Sequence, residues 1–431
     1  MDKLLINGGR QLKGEVCVSG AKNSALKLMA AAILGRGKSV LHGVPKIRDV
    51  FTMSEVLNRL GVKTEWGEKD SLIICSSNKI SCEAPYDLIR QMRASIIVLG
   101  PLLAKMGEAR VAMPGGCNIG SRKIDLHLRG FEQLGAQIEM GHGYIQASAG
   151  ILTGSRISLE FPSVGATENL MMAAVMAKGN TVIENAAREP EIIDLADFLN
   201  AMGAGIEGAG ATTMIIKGVS ELRGTDYHVI PDRIEAGTFL IAGAITGGDV
   251  WVRNACSEHL ILVLKKLEEA GVKVQEEESG IRVISDCRPK AIDIATLPHP
   301  GFPTDLQAQM MALLSLADGT SIITENIFES RFVFIEEINK MGSNIRTQGQ
   351  HAVIRGVEKL CGTTVRCPDL RAGAGLVLAG MAADGTTEVK EIDHIDRGYE
   401  DFEQKLQQLG ADIERISEEE SEQESGRREK R

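Results

Sequence analysis

Aromatic residues are scarce: the 431-residue chain carries two tryptophans, four tyrosines and ten phenylalanines. The core must then be built from Ala, Leu, Ile, Val and Met, with 47 glycines allowing elements to approach closely. No two of the eight cysteines, at positions 17, 75, 82, 117, 256, 287, 361 and 367, form a CxxC pair. That argues against a zinc-ribbon or thioredoxin-type site. Scattered cysteines and no signal-peptide pattern point to a reducing cytoplasm. No apolar run approaches the ~18 residues of a membrane span. There is no P-loop lysine motif, so no ATP is implied. The one GxGxxG match, Gly203 to Gly208, follows a helical pattern and not a strand, which rules it out as a dinucleotide fingerprint. The histidines are dispersed and imply no metal. A net charge of −10 argues against a general nucleic-acid surface, although a local basic cluster can still focus an anionic small substrate.

What the chain does contain is internal repetition. A phrase that ends a helix recurs six times, as in LNRLGVKTEW from Leu57 and LQQLGADIER from Leu406, and its glycines are Gly61, Gly135, Gly203, Gly271, Gly342 and Gly410. A second phrase, a glycine leading into a short strand, keeps the same period at Gly37, Gly107, Gly179, Gly248, Gly319 and Gly385. Two independent phrases with one period of about 70 residues mark a repeat architecture. Each unit reads as strand, small-residue helix, strand, amphipathic helix and two closing strands. In the first unit the opening strand is Glu15 to Val18, followed by a helix from Asn23 to Leu34. The sixth unit lacks its final strand, and the N-terminal run LLINGGRQLKG resembles the strand missing there. Six units divide into two domains of three: residues 22–229, and residues 1–21 with 230–416. The stretch 417–431 reads as a disordered charged tail.

The first helix of each unit is apolar except where it begins. Those beginnings carry Lys22-Asn23-Ser24, Arg93, Asp232-Arg233, Thr304-Asp305 and Asp369-Leu370-Arg371. Capping explains the Ser, Thr, Asp and Asn residues. Cations at helix N-termini oppose the dipole, at a cost on the order of 0.3–1 kcal/mol each unless an anion offsets it. Lys22, Arg93, Arg233 and Arg371 therefore either bind an anionic ligand or pair with carboxylates. Asp305 is either a cap or a base, and Arg397 beside Gly398 is a further anion ligand candidate. The loop Met113 to Ser121 surrounds Cys117 with three glycines and a proline, and Arg122, Asp125 and His127 follow. It is either a reactive thiol site or a turn holding an inert cysteine.

Seven motifs carry a resemblance: SGAKNSAL from Ser19, MRAS from Met92, PGGCNIGSR from Pro114, PSVGATEN from Pro162, PDRIEAGTF from Pro231, FPTDLQAQ from Phe302 and DLRAGA from Asp369. From Leu4 to about Ile416 the chain resembles the enolpyruvyl transferases of peptidoglycan synthesis, the UDP-N-acetylglucosamine 1-carboxyvinyltransferases. The resemblance implies an α/β fold: a two-domain inside-out α/β barrel, or prism, with three βαβαββ units per domain. It implies transfer of the enolpyruvyl group of phosphoenolpyruvate to the 3-hydroxyl of UDP-N-acetylglucosamine with release of phosphate, by addition and then elimination.

By motif position, Cys117 resembles the proton donor and the residue that adds covalently to phosphoenolpyruvate. Lys22, Arg122 and Arg397 resemble the phosphoenolpyruvate ligands. Asn23 and Asp305 resemble the residues facing the sugar, with Asp305 as base. Arg93, Arg122, Lys123, Ile124, Asp125, Leu126, Ser163, Val164, Gly165 and Ile327 resemble the nucleotide-sugar pocket, and Arg371 is a further substrate ligand. The expected partners are these two small molecules, with no nucleic acid, membrane or separate cofactor. A cysteine at 117 also implies alkylation by fosfomycin, to which members with Asp there are resistant. Lys123 stands where a familiar variant has proline, and no lysine precedes Ser163 as it does in some members; both departures concern diphosphate contacts. Two alternatives remain: a sister enzyme acting on shikimate 3-phosphate, which needs no PGGC loop, and a non-catalytic UDP-sugar-binding paralogue.

Overall fold

The structure, a computed structural model, describes residues 2–77, 79–113 and 124–417. The chain divides into two compact units, one of residues 2–18 with 231–417 and the other of residues 19–113 with 124–230. The sequence-predicted Cys117, Arg122 and Lys123, and residues 418–431 of the expected tail, lie outside the described residues.

Each unit is a set of three sheets around apolar helices. In the unit of residues 19–230 those helices are Lys22–Ala31, Leu99–Met106 and Val164–Ala174, with most of their residues buried. In the other unit they are Arg233–Ile245, Gln307–Leu314 and Leu370–Ala382. A helix that is apolar all round has no solvent face and must lie inside. Small residues set how closely these helices pack: a Cβ on Gly375 would lie 2.9 Å from the Ala308 backbone, and one on Gly100 would lie 2.3 Å from the Asn169 carbonyl oxygen. The second helix of each repeat is amphipathic, as in Arg48–Arg59 and Asp125–Gln133. All six ends are followed by a glycine of the recurring phrase, with φ between 90° at Gly61 and 107° at Gly203. That left-handed conformation is why glycine recurs there.

Five of the six sheets share one pattern: a short strand runs parallel to a central strand, which continues into an antiparallel pair. Arg156–Ser158 is parallel to Asn180–Glu184, and Thr213–Lys217 and Gly205–Glu207 follow antiparallel. In the third sheet of that unit, Glu108–Ala112, Tyr144–Ser148 and Gln137–Gly141, the parallel partner shrinks to a single bridge between Glu83 and Arg110. The N-terminal strand Lys3–Asn7 lies between Thr386–Lys390 and Asp412–Ile416, antiparallel to both, so it fills the sixth unit's empty position.

The expected first unit needs correcting. Strand Lys13–Cys17 precedes the first helix in sequence, but it pairs in parallel with Asp249–Arg253 of the fourth repeat. The parallel partner of Gly35–His42 comes instead from Leu222–Arg223 and Asp226–His228. Where the chain passes from one unit to the other, the strand stays in the sheet it leaves and the following helix joins the unit it enters. Periodicity cannot register this exchange, because strand and helix keep their order along the chain. The second repeat also differs: Arg93 opens a 3-10 helix, Arg93–Val98, and the α-helix begins only at Leu99. Among the described residues, no helix is long and apolar enough to cross a membrane.

Candidate functional site

In the unit of residues 19–230, helix Lys22–Ala31 begins without a side-chain cap, since Ala21 occupies the N-cap position. Its first turn is held by side chains from other elements. The Lys22 ammonium lies 2.8 Å from Asp49 Oδ2 and both are buried, so a carboxylate offsets the cation at this N-terminus. The Ser24 hydroxyl donates to Asp194, which also accepts from Tyr227 Oη at 2.8 Å. Burial pushes the Asp194 carboxyl up to about 6, and the bonds from Ser24, Tyr227 and the Ile230 amide pull against it. Lys27 Nζ donates to the Asn23 carbonyl at 2.8 Å and sits 3.4 Å from Glu168 Oε1. Asn23 and Lys22 thus stand on a turn braced by Asp49, Asp194 and the Lys27–Glu168 pair.

Glu168 has no exposed surface, and burial pushes its carboxyl up to about 7; Lys27 pulls it down while Glu191 and Glu189 push it further up. A carboxyl whose folded value is raised is costly when ionised, so this group's destabilisation is absent below about 4.5 and complete above about 7. The full contribution is on the order of 3 kcal/mol. Glu168→Gln removes the titration. The melting temperature of the variant relative to wild type is expected to be higher at pH 8 than at pH 5, and an equal difference at the two pH values would refute this account.

The proposed nucleotide-sugar segments also meet in this unit. Ser163 caps helix Val164–Ala174 by accepting from the Ala166 amide. Ile124 and Asp125 begin helix Asp125–Gln133, whose His127 lies against Gly165: a Cβ there would stand 3.3 Å from the His127 ring. His127 Nδ1 is 3.1 Å from Asn169 Nδ2, and Asn169 Oδ1 accepts from the Gly100 amide at 2.7 Å. Asn169 thereby ties Ser163–Gly165, the 124–127 segment and the turn after Arg93 into one arrangement. Asn169 closes the sequence motif PSVGATEN, but its partners His127 and Gly100 lie elsewhere in the chain and no local pattern shows them.

In the other unit, Asp305 does not cap a helix. It lies in the short 3-10 turn Thr304–Leu306, and its carboxylate is gripped by two arginines. Arg331 is 3.0 Å from Oδ1 and Arg371 is 3.2 Å from Oδ2. The Arg331 and Arg371 side chains are 2% and 4% exposed, against 25% for Asp305. Asp369 caps helix Leu370–Ala382 by accepting from the amides of Arg371 and Ala372. The Arg371 guanidinium lies 5.4 Å from the Tyr399 ring centre, and Tyr399 Oη is in turn 2.9 Å from Thr238 Oγ1. Burial alone would lower the Arg371 pKa, but the charges of Asp305 and Asp232, with Tyr399, outweigh it and keep the guanidinium charged.

Two guanidiniums against one carboxylate leave these three groups with one net positive charge, facing partly exposed space at Asp305. That arrangement suits an anion beside a hydroxyl that Asp305 can hold. Arg397 ends the 3-10 turn Ile392–Arg397, whose Ile395 packs against Gly373 of the Arg371 helix. The Ile327 amide donates to Glu325. Sequence reasoning missed Arg331; its one signal is a cation immediately before the apolar run Phe332 to Ile335. It also missed Asp49 and Glu325. Among the described residues, no group of three or more His, Cys, Asp or Glu could hold a metal ion.

Known proteins resemble this chain over nearly its whole length. The sequence profile of the EPSP synthase (3-phosphoshikimate 1-carboxyvinyltransferase) family matches residues 6–406. UDP-N-acetylglucosamine 1-carboxyvinyltransferase 1 of Halalkalibacterium halodurans is 55% identical over 424 residues, covering 98% of this chain and 96% of that protein. UDP-N-acetylglucosamine 1-carboxyvinyltransferase 2 of Carboxydothermus hydrogenoformans is 55% identical over 419 residues, covering 97% of this chain and all of the other. Among solved structures, the enolpyruvyl transferase NikO of Streptomyces tendae superposes with a TM-score of 0.88 at 25% identity, covering 96% of this chain and 99% of its own. EPSP synthase of Acinetobacter baumannii superposes at 0.76 with 18% identity, covering 97% of this chain and all of its own, a likeness of fold alone.

Proposed function

Because the chain belongs to the EPSP synthase family and, within it, to the UDP-N-acetylglucosamine 1-carboxyvinyltransferases, we propose that it transfers the enolpyruvyl group of phosphoenolpyruvate to the 3-hydroxyl of UDP-N-acetylglucosamine. It is a transferase, and peptidoglycan synthesis is the role that follows. The observation that carries the proposal is Asp305 held between the buried Arg331 and Arg371 at the start of an apolar helix.

The sugar hydroxyl oxygen bonds to C2 of phosphoenolpyruvate while its proton passes to Asp305. C3 takes a proton from Cys117, giving a tetrahedral adduct. Return of a proton from C3 to the Cys117 thiolate and departure of inorganic phosphate, which takes up the proton held by Asp305, restore the double bond and both side chains. Lys22, Arg122 and Arg397 hold the phosphoenolpyruvate anion, and Arg371 supports the charge beside Asp305. Asn23 faces the sugar, and Arg93, Arg122 to Leu126, Ser163 to Gly165 and Ile327 receive the nucleotide sugar. Charged groups fixed in advance cost no reorganisation as charge moves during the reaction. This chemistry uses no separate cofactor, since phosphoenolpyruvate supplies the electrophile, and the Cys117 thiol can itself add covalently to phosphoenolpyruvate. A cytoplasmic location goes with two phosphorylated substrates.

The test is release of inorganic phosphate from phosphoenolpyruvate with each acceptor in turn. Release with UDP-N-acetylglucosamine and none with shikimate 3-phosphate is expected. Release only with shikimate 3-phosphate, or none with either from protein that still binds the nucleotide sugar, would overturn the proposal.

A further inference from the structure

Glu325 follows strand Thr320–Thr324, is 2% exposed, and spends both carboxylate oxygens on neighbours. Its Oε1 accepts from Thr296 Oγ1 at 2.8 Å and from the amides of Ile327 and Phe328 at 2.8 and 3.1 Å. Its Oε2 accepts from Thr304 Oγ1 at 2.9 Å. The same loop is tied down again by the Asn326 amide on Thr296 Oγ1 at 3.0 Å and by Asn326 Nδ2 on the Thr296 carbonyl at 3.1 Å. One buried carboxylate thus joins the turn that carries Asp305 to the loop that carries Ile327 and, four residues further on, Arg331.

A group so fully used neither moves a proton nor binds a ligand. Its four bonds fix three segments, at Thr296, Thr304 and Ile327–Phe328, relative to one another, and a charged acceptor makes each bond stronger than a neutral one would.

We propose that Glu325 is a positioning residue for the acceptor side of the site: through Thr304 and the Ile327 and Phe328 amides it fixes the distance between the base Asp305 and the nucleotide-sugar contact at Ile327. The inference rests on the proposed transferase reading. It predicts an effect divided by substrate. None of the segments Glu325 holds carries Lys22, Arg122 or Arg397, so binding of phosphoenolpyruvate does not depend on it.

Glu325→Gln keeps the size but turns one acceptor into a donor facing other donors. Thr304→Val removes only the bond that holds the Asp305 turn and leaves the rest of the loop intact. With Glu325→Gln, kcat is expected to fall and KM for UDP-N-acetylglucosamine to rise, each by about ten- to a hundredfold, as a displacement near 1 Å would cause. KM for phosphoenolpyruvate should stay at the wild-type value. Thr304→Val is expected to lower kcat with a smaller change in either KM, which keeps the test decisive if the glutamine variant folds poorly. An unchanged kcat in Thr304→Val would overturn the inference. So would a parallel rise of both KM values in a Glu325→Gln protein of lowered melting temperature, since that is a general loss of structure. Wild-type enzyme that releases no phosphate would instead overturn the proposed function, so the two failures are told apart by which protein shows them.

Discussion

Asp305→Ala is expected to lower kcat for phosphate release by roughly 10²–10⁴, the range over which a positioned general base contributes. The structure adds a second cost. Asp305 is the carboxylate between Arg331 and Arg371, whose side chains are 2% and 4% exposed. Removing it takes from two buried guanidiniums the carboxylate they share, and a buried charge that loses its partner is strongly destabilising. The alanine variant should therefore also melt at a lower temperature. Asp305→Asn separates the two effects. The amide keeps the size and one acceptor oxygen but cannot take the hydroxyl proton, so kcat should fall nearly as far while much of the lost stability returns. Steady-state phosphate release and a melting curve on both variants make the comparison. An asparagine variant within tenfold of wild-type kcat would show that Asp305 orders the arginines and is not the base.

Cys117→Ser is the second large effect. A serine hydroxyl ionises far less readily than a thiol, so it is a poor proton donor to C3 and a poor nucleophile toward phosphoenolpyruvate. Turnover is expected to fall by roughly 10²–10⁴, while UDP-N-acetylglucosamine, whose proposed contacts lie elsewhere, binds with unchanged affinity. The thiol can also be followed directly. Incubation of wild type with fosfomycin should add one covalent adduct by mass spectrometry, and the serine variant should show none. Loss of nucleotide-sugar binding in the variant would assign Cys117 a structural role, and an unmodified wild type would refute a reactive thiol.

Much of the candidate site was legible because it lies at the starts of repeated helices. Lys22, Asp305 and Arg371 are polar residues opening apolar helices, and that contrast is visible in one dimension. Their partners were not. Asp49 and Arg331 belong to other parts of their repeats, and only packing brings Asp49 to within 2.8 Å of Lys22 and Arg331 to within 3.0 Å of Asp305. The choice between anion ligand and ion pair for the helix-start cations was therefore left open by sequence. In the structure described, Lys22 and Arg371 each face a carboxylate.

The sequence by itself determined the α/β class, the six repeats and the places where helices end, because these depend on local chemistry. An apolar stripe makes a face to bury, and a glycine alone accepts φ near 90° without strain. The tertiary structure alone decided that the strand before the first helix joins the sheet of the fourth repeat. Lys13–Cys17 has the same alternation whether it pairs with Gly35–His42 or with Asp249–Arg253, and it takes the second partner. It alone also decided that Glu325 should hold Thr304 and Ile327 together. Pairing of this kind is settled by backbone hydrogen bonds and buried charge between segments far apart in the chain, and no local pattern of residues records which distant segment will supply the partner.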